Sequence, residues 1–335
     1  MNAALEPATV GARLGLVWGF DIGPEGAVPI DTALPEIGLS PPPPGTLRWL
    51  HVALADQWTR RWIMASGVSP DVRDLLLSTD RHQRALVDGD ALACILHDFE
   101  RDFDTPATAR MGSLAVLLLP RIVVTARLHP LCAADIVHRR IRSGTAPVTT
   151  AAAFDLLLSA VTQVASEVAA DLTVTVQTAE DALLDNGRDP DPRELLIVRK
   201  RAIQVHRQMS GLRGVLARLE DDDDLPIDLA PTIEKLAQRT AAVDGDILAI
   251  QANLRLLREE LEVQTANRTG QNLYLLSILS ALLLPATLVT GIFGMNTGGL
   301  PWASVPHGTL LAVGLVVASS AMVYFWLYAQ GFFRR

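Results

Sequence analysis

The sequence contains few cysteines and none of the short motifs of hydrolytic enzymes. Cys94 and Cys132 are its only cysteines, too few for a disulfide framework, so we expect them to lie in the reducing cytosol. The first residues have neither a basic start nor an apolar core, and no secretory signal is expected. Because Gly-x-Ser-x-Gly, His-Glu-x-x-His and a phosphate-binding glycine loop are all missing, a membrane-anchored hydrolase finds no support, and we expect no enzyme.

Charge is absent from most of the C-terminal part of the chain. Between Arg268 and Arg334 there is no Asp, Glu, Lys or Arg. Two apolar segments of 21 residues each, 273–293 and 308–328, lie in this stretch. Each is long enough to cross a hydrocarbon core of about 30 Å. The lipid bilayer is therefore an expected partner.

The charges that are present predict the orientation and the partners of the protein. Arg268 precedes the first apolar segment, Arg334 and Arg335 follow the second, and the loop between them has no Lys or Arg. This distribution places both chain ends in the cytoplasm and the protein in the inner (plasma) membrane as a multi-pass protein. The net charge of -8 argues against nucleic acid as a partner and favours cations.

Residues 1–190 predict a cytoplasmic α/β domain with most of its helices late in the sequence. Short apolar runs with turn-type flanks predict strands at 15–20, 47–54, 91–96, 114–119 and 121–126. Helices are expected at 56–66 and 71–78, each opened by an aspartate cap, and later at 133–142 and 149–176.

Residues 191–271 predict a helical stalk. After a first helix at 193–219, apolar positions recur at alternating spacings of 3 and 4 residues, the pattern with which a helix buries one seam against others in a coiled coil. The seam consists of Ile233, Leu236, Thr240, Val243, Ile247, Ile250, Leu254, Leu257 and Leu261. One helix is expected from 232 to about 296, roughly 95 Å long at 1.5 Å per residue and bent modestly at Pro285.

The stalk leads into the membrane segments without a break. We divide this part of the chain into a pore helix at 272–296, an external loop at 297–307, and a second span with its tail at 308–335. Two helices from one chain cannot enclose a water-filled path, so a conducting protein of this kind must be an oligomer. The seam of the stalk independently predicts oligomerisation.

The end of the first apolar segment carries a specific sequence motif. Gly294, Met295 and Asn296 are followed by Thr297-Gly298-Gly299-Leu300-Pro301-Trp302, and preceded by Leu284-Pro285-Ala286-Thr287 and Thr290-Gly291. This motif, behind a long stalk and ahead of a second span, resembles the signature of the CorA-type metal ion transporters. The Gly-Gly-Leu-Pro continuation resembles the ZntB-like, zinc-transporting branch more than the magnesium branch, whose loop has an acidic residue after a Met-Pro pair.

The resemblance implies both an architecture and a function. It implies a homopentameric funnel with an α/β/α cytoplasmic domain that transports a divalent cation, zinc first, with protons as a candidate coupling ion. A magnesium, cobalt or nickel channel of the CorA type is the close alternative. A membrane-tethered structural or signalling protein is a further alternative, against which the motif counts. No bound cofactor is expected.

The motif and the helix before it supply the candidate site residues. A ring of Asn296 amides with Gly294 carbonyls beside them would recognise a hydrated cation through its water shell at a filter of Gly294, Met295 and Asn296. These residues also suit a simple helix cap. One stripe of the helix is the candidate pore lining: Gly291, Thr287, Leu284, Ser280, Ser277 and Leu273. It would equally serve as a helix-packing surface.

Further candidate metal ligands lie outside the motif. His307 is the one titratable residue of the loop, and imidazole suits zinc better than magnesium. Asp244 and Asp246 flank Gly245 in the stalk and could bind cations between subunits, and the acidic run 220–224 could sense metal, although such a run before a proline is usually a solvated loop.

Two pairs in the α/β domain complete the candidate ligands. Cys94 with His97 and Asp98 could ligate zinc, as could His129 with Cys132, but neither pair closes a four-ligand site, and ordinary packing is the simpler interpretation. No carboxylate lies in the membrane segments to carry protons.

Overall fold

The computed structural model describes residues 15–30, 41–101, 110–184, 190–295, 301–302 and 306–332. The chain divides into an N-terminal unit, residues 1–256, and a C-terminal unit, residues 257–335.

A seven-stranded sheet forms the centre of the N-terminal unit. Its order is β2-β1-β3-β7-β6-β5-β4, with β3 and β7 parallel and the other neighbours antiparallel. The strands are β1 Leu16–Gly23, β2 Gly26–Pro29, β3 Leu47–Ala53, β4 Arg84–Asp88, β5 Ala91–Phe99, β6 Met111–Leu119 and β7 Ile122–Arg127. All five predicted strands are confirmed. The two missed strands, β2 and β4, form the edges of the sheet and lack a buried apolar run.

Helices cover both faces of the sheet. Along β5, Ala93 and Ile95 face a smaller core with helices α1 (Gln57–Ala65) and α2 (Pro70–Leu77), whereas Cys94 and Leu96 face the main core. Helices α3 (Cys132–Arg142), α4 (Thr150–Leu184) and α5 (Pro192–Glu220) contribute to that main core. The predicted α/β/α arrangement is confirmed, and α4 extends eight residues beyond its predicted end.

The caps of the two short helices agree with the prediction in one case only. The Asp56 side chain accepts a hydrogen bond from the Trp58 amide and caps α1, as predicted. In α2 the cap is Ser69, whose hydroxyl accepts from the Val72 amide, while Asp71 lies inside the first turn. The prediction of an Asp71 cap was wrong because Pro70 is well suited to the first helical position, so that the helix begins at Pro70 and the cap is the residue before it.

One uninterrupted helix, α6 (Ala230–Gly294), runs through both units, and α7 (Gly308–Ala329) follows it. The seam of α6 is buried as predicted, but inside the same chain. Six of its residues belong to the same buried cluster as residues of α4 and α5: Ile233, Leu236, Val243, Ile247, Ile250 and Leu254. The seam therefore does not by itself require a second copy of the chain, because a spacing of 3 and 4 residues does not distinguish a partner helix of the same chain from one of another chain.

Candidate functional site

The uncharged segments lie in α6 and α7 of the C-terminal unit. Among the described residues three helices are long and apolar enough to cross a membrane, the third being α4. Half of the apolar window of α4 is buried, whereas the windows of α6 and α7 are 0% and 6% buried. The N-terminal core therefore covers the apolar face of α4, while the apolar surfaces of α6 and α7 require another apolar environment.

The predicted pore stripe lies on an uncovered face of α6. Ile278, Ala281, Pro285 and Val289 are half-buried on another face, where α7 reaches Leu282 through a hydrogen bond from Ser320. The six residues of the stripe are all exposed: Leu273, Ser277, Ser280, Leu284, Thr287 and Gly291. The stripe does not pack inside its own unit, so helix packing along it would need another copy of the chain.

Two hydroxyl groups of the stripe, those of Ser277 and Thr287, are arranged as acceptors. The Ser277 hydroxyl donates to the backbone oxygen of Leu273 at 2.8 Å. The Thr287 hydroxyl lies 2.7 Å from the backbone oxygen of Leu283 and 3.0 Å from that of Leu284. Because each hydroxyl has a single proton, which points into its own helix, the lone pairs of the oxygen remain available to a ligand outside.

The mouth of the predicted pore is only partly described. Gly294 ends α6 and is exposed, and the amide of Met295 donates to the backbone oxygen of Ile292 at 3.3 Å. Asn296, the predicted amide ring, lies outside the described residues, as do residues 297–300.

His307 lies at the start of α7. It occupies the N-cap position, its side chain makes no capping hydrogen bond, and the residue is exposed. In the described parts of the chain, no group of three or more His, Cys, Asp or Glu residues is placed to hold a metal ion. His307 therefore remains a single candidate ligand.

The structure separates the two aspartates proposed to bind cations in the stalk. Helix α6 continues through Gly245, and residues two apart on a helix point in different directions. Asp244 is buried, with one carboxylate oxygen 2.8 Å from His206 Nδ1 and the other 2.8 Å from an Arg213 guanidinium nitrogen. Asp246 is exposed. Asp244 thus stabilises the packing of α5 on α6 within one chain.

The candidate zinc ligands of β5 are not brought together. Cys94 and His97 point to opposite faces of the strand. Cys94 is in the main core, whereas His97 Nε2 donates to the backbone oxygen of Arg81 at 2.8 Å. Of the second pair, His129 is exposed and Cys132 is half-buried. The packing interpretation fits these positions.

Burial raises the pKa values of three candidate ligands of the α/β domain, Cys94, Cys132 and Asp98. Burial raises the pKa of the Cys94 thiol to about 12 and that of Cys132 to about 11, so both stay protonated at neutral pH. Asp98 is fully buried, and its carboxylate accepts a hydrogen bond of 2.7 Å from the Ala133 amide near the start of α3. Burial outweighs this hydrogen bond and raises the pKa of Asp98 to about 7.

The acidic run 220–224 forms the turn that ends α5. Asp221 is the C-cap, and its amide donates to the backbone oxygen of Ala217 at 3.1 Å. The Asp222 carboxylate accepts from the amide of Asp224 at 3.1 Å. The arrangement fits a solvated turn.

Sequence reasoning missed the polar contacts between helices. His206 and Arg213 carry no motif that would single them out, and their partner Asp244 lies 38 and 31 residues away in sequence. Ser320 lies among apolar residues of the second span, and the pair Ser319-Ser320 was the only signal that a polar contact forms there.

Comparison with known proteins assigns the chain to a family. A family model described as "CorA-like Mg2+ transporter protein" matches residues 44–334, which is most of the chain. The chain belongs to the CorA family. It is thus a CorA-family divalent cation transporter, from a family of transporters rather than enzymes, and the predicted resemblance is confirmed.

Similar proteins and solved structures match most of the chain. The zinc transport protein ZntB of Pectobacterium carotovorum subsp. carotovorum (strain PC1) is 26% identical over 290 residues, which cover 83% of this chain and 86% of that protein. The full-length CmaX protein has the same fold, with a TM-score of 0.77 and 24% identity over 96% of this chain and 99% of that one. The CorA magnesium transporter from Methanocaldococcus jannaschii follows with a TM-score of 0.74 and 18% identity, over 94% and 98% of the chains.

Proposed function

We propose that several copies of this chain, five by the family resemblance, form a zinc transporter of the inner membrane. In this arrangement α6 of each copy lines a central passage, α7 lies on the lipid side, and both chain ends are cytoplasmic. The observation that carries the proposal is the uncharged stripe of α6, which is exposed along its whole length. Since the described part of one chain provides two apolar helices outside the N-terminal core, and two helices cannot enclose a passage, the passage would form in the oligomer.

The mouth of the passage would select the ion with its water shell. Asn296 amide oxygens and Gly294 carbonyl oxygens are neutral, and a neutral ring cannot replace the full hydration of a divalent ion. The ion would therefore enter with most of its water and be selected by the size and shape of the hydrated complex.

The stripe would then carry the hydrated ion along the helix. Water molecules bound to a cation point their hydrogens outwards, and the Thr287 and Ser277 oxygens offer lone pairs to these hydrogens because their own protons are bound to α6. Leu284 and Leu273 would form apolar rings that close the passage by dewetting. The stripe thus combines acceptors for a water shell with two constrictions.

Zinc is the first candidate ion and magnesium the second. Two relatives that are 26% identical over 83% of the chain are named zinc transport proteins, and the Gly-Gly-Leu-Pro loop and His307 fit the same ion. Magnesium is supported by the description of the family model. Protons are a candidate coupling ion, and with no carboxylate between residues 269 and 333 they would have to travel through His307 or through water.

Ion uptake into liposomes tests the proposal. The purified full-length protein would be reconstituted around zinc-sensitive or magnesium-sensitive dyes, with and without a pH gradient. We expect zinc uptake to exceed magnesium uptake. Asn296→Ala should lower the rate about tenfold or more, because every copy in the ring loses a hydrogen bond of about 0.5–1.5 kcal/mol to the water shell of the ion. Asn272→Ala, an asparagine outside the motif, is the matched control.

Each outcome separates the candidates. Magnesium uptake without zinc uptake would favour the second ion. An oligomeric wild-type protein that takes up neither ion would favour a membrane-tethered structural role. Unchanged zinc uptake by Asn296→Ala would refute the assignment of the mouth.

A further inference from the structure

One hydrogen bond in the C-terminal unit joins α7 to α6 beside a proline. The Ser320 hydroxyl donates to the backbone oxygen of Leu282 at 3.1 Å. Pro285 lies three residues further along α6, which remains helical through it. The bond therefore reaches the turn of α6 that a proline weakens.

A proline inside a helix leaves its preceding turn short of donors. Pro285 has no amide hydrogen, so the backbone oxygen of Ala281 loses its usual partner, and the proline ring crowds the same turn. In a membrane such a turn is stabilised by hydroxyl groups of the same or a neighbouring helix. The single hydroxyl proton of Thr287 is shared between the next two backbone oxygens, those of Leu283 and Leu284. Two hydroxyl groups thus lie against three consecutive backbone oxygens, and one of the two groups comes from α7.

We propose that Ser320 is a positioning residue for the pore wall. By holding the backbone oxygen of Leu282, it fixes the angle of the Pro285 turn, and this angle sets where Leu284 and Thr287 lie on the opposite, uncovered face of α6. The inference rests on the proposed function of the stripe, and it adds a residue that does not itself face the ion.

The neighbouring serine shows that a hydroxyl in this helix can be satisfied locally. Ser319 donates to the backbone oxygen of Val316 at 2.9 Å, within α7. Ser320 is equally half-buried but donates to the other helix. Ser319→Ala removes the same atoms from the same helix but breaks no hydrogen bond to α6. It is therefore the matched control for Ser320→Ala.

The test compares serine variants of the full-length protein in the zinc-uptake assay. Hydrogen bonds between membrane helices are weak to moderate, so Ser320→Ala should lower the maximal uptake rate about threefold to tenfold. The zinc concentration at half-maximal rate should stay unchanged, because the mouth is intact. Ser319→Ala should behave as wild type, and Ser320→Thr, which keeps the hydroxyl, should restore uptake where the isosteric Ser320→Val does not.

Two results would overturn the inference while leaving the proposed function intact. One is an equal maximal rate for Ser320→Ala and Ser319→Ala; the other is equal uptake by Ser320→Thr and Ser320→Val. The comparison of Ser320→Thr with Ser320→Val tests the role of the hydroxyl group even if Ser320→Ala fails to fold, since threonine and valine have the same shape. A wild-type protein that takes up neither zinc nor magnesium would overturn the proposed function and this inference together.

Discussion

Asp244 allows a direct test of how α5 is held on α6. Its carboxylate is 2% exposed and accepts from two donors, His206 and Arg213, whose side chains are 34% and 51% exposed. Removing one partner of a fully buried ion pair costs about 3–5 kcal/mol, because the remaining charge is left without solvent. Water can reach both donors here, so we expect a smaller loss of about 2 kcal/mol for Asp244→Asn, whose amide group can accept from only one of them.

The matched control is two residues away on the same helix. Asp246 is exposed, so Asp246→Asn should change the free energy of unfolding by no more than about 0.5 kcal/mol. Melting of the detergent-solubilised protein, followed by the fluorescence of a thiol-independent dye, compares the variants. For a unit of about this size, 2 kcal/mol corresponds to roughly 4–8 °C in Tm. Equal melting of the two variants would refute the ion-pair explanation.

The same measurement addresses the cation hypothesis for these aspartates. If Asp244 and Asp246 bound zinc or magnesium together, added metal would raise the Tm of the wild-type protein and the rise would disappear in Asp246→Asn. The pairing of Asp244 with His206 and Arg213 predicts instead that any effect of metal on Tm is the same in the wild-type protein and in this variant, because both carboxylate oxygens of Asp244 already accept from these two side chains.

Two further predictions concern a buried acid and the stripe. Burial raises the pKa of Asp98 to about 7 from an ordinary value of 3.8, so between about pH 4 and 7 the folded protein holds a proton that the unfolded chain releases, and stability falls as pH rises. Asp98→Asn should remove up to about 4 kcal/mol of this pH dependence of stability. The Tm of the variant, relative to that of the wild-type protein, should therefore increase from pH 5 to pH 7.5. Parallel curves of Tm against pH for the two proteins would contradict this prediction. In the proposed pore, Thr287→Ala should slow zinc uptake several-fold, because it removes an acceptor that contributes about 1 kcal/mol. Thr290→Ala, which lies off the stripe, should not slow uptake. Equal rates for the two variants would show that Thr287 does not line the pore.

The sequence predicts those elements whose environment is uniform along their length. β5 and β7 are buried on both faces and appear as continuous apolar runs. β2 and β4 are edge strands with half-exposed residues, so their composition resembles that of a loop. The long helix α6 is equally predictable, because no loop signal interrupts it over 65 residues.

The packing partner of a helix is harder to predict than the helix itself. A pattern of residues indicates which side chains are buried, but not which part of the protein buries them. The seam of α6 is buried where the pattern indicates, yet its neighbours belong to the same chain. Asp244 carries the same charge as Asp246, and only the positions of His206 and Arg213 make one of them a structural residue. The six residues of the stripe are all exposed, and their role as a pore wall stays a proposal.

The two stretches of α6 therefore support oligomerisation in different ways. In the N-terminal unit the helix satisfies its apolar seam inside the chain, so that stretch needs no second copy for its burial. In the C-terminal unit no residue of the apolar window is fully buried, and the hydroxyl protons of Ser277 and Thr287 are bound within the helix. Lipid alone could cover such a surface, since no unsatisfied donor remains on Ser277 or Thr287. A requirement for further copies thus follows from conduction and not from burial, which is why uptake measurements, rather than stability measurements, decide whether this stretch lines a pore.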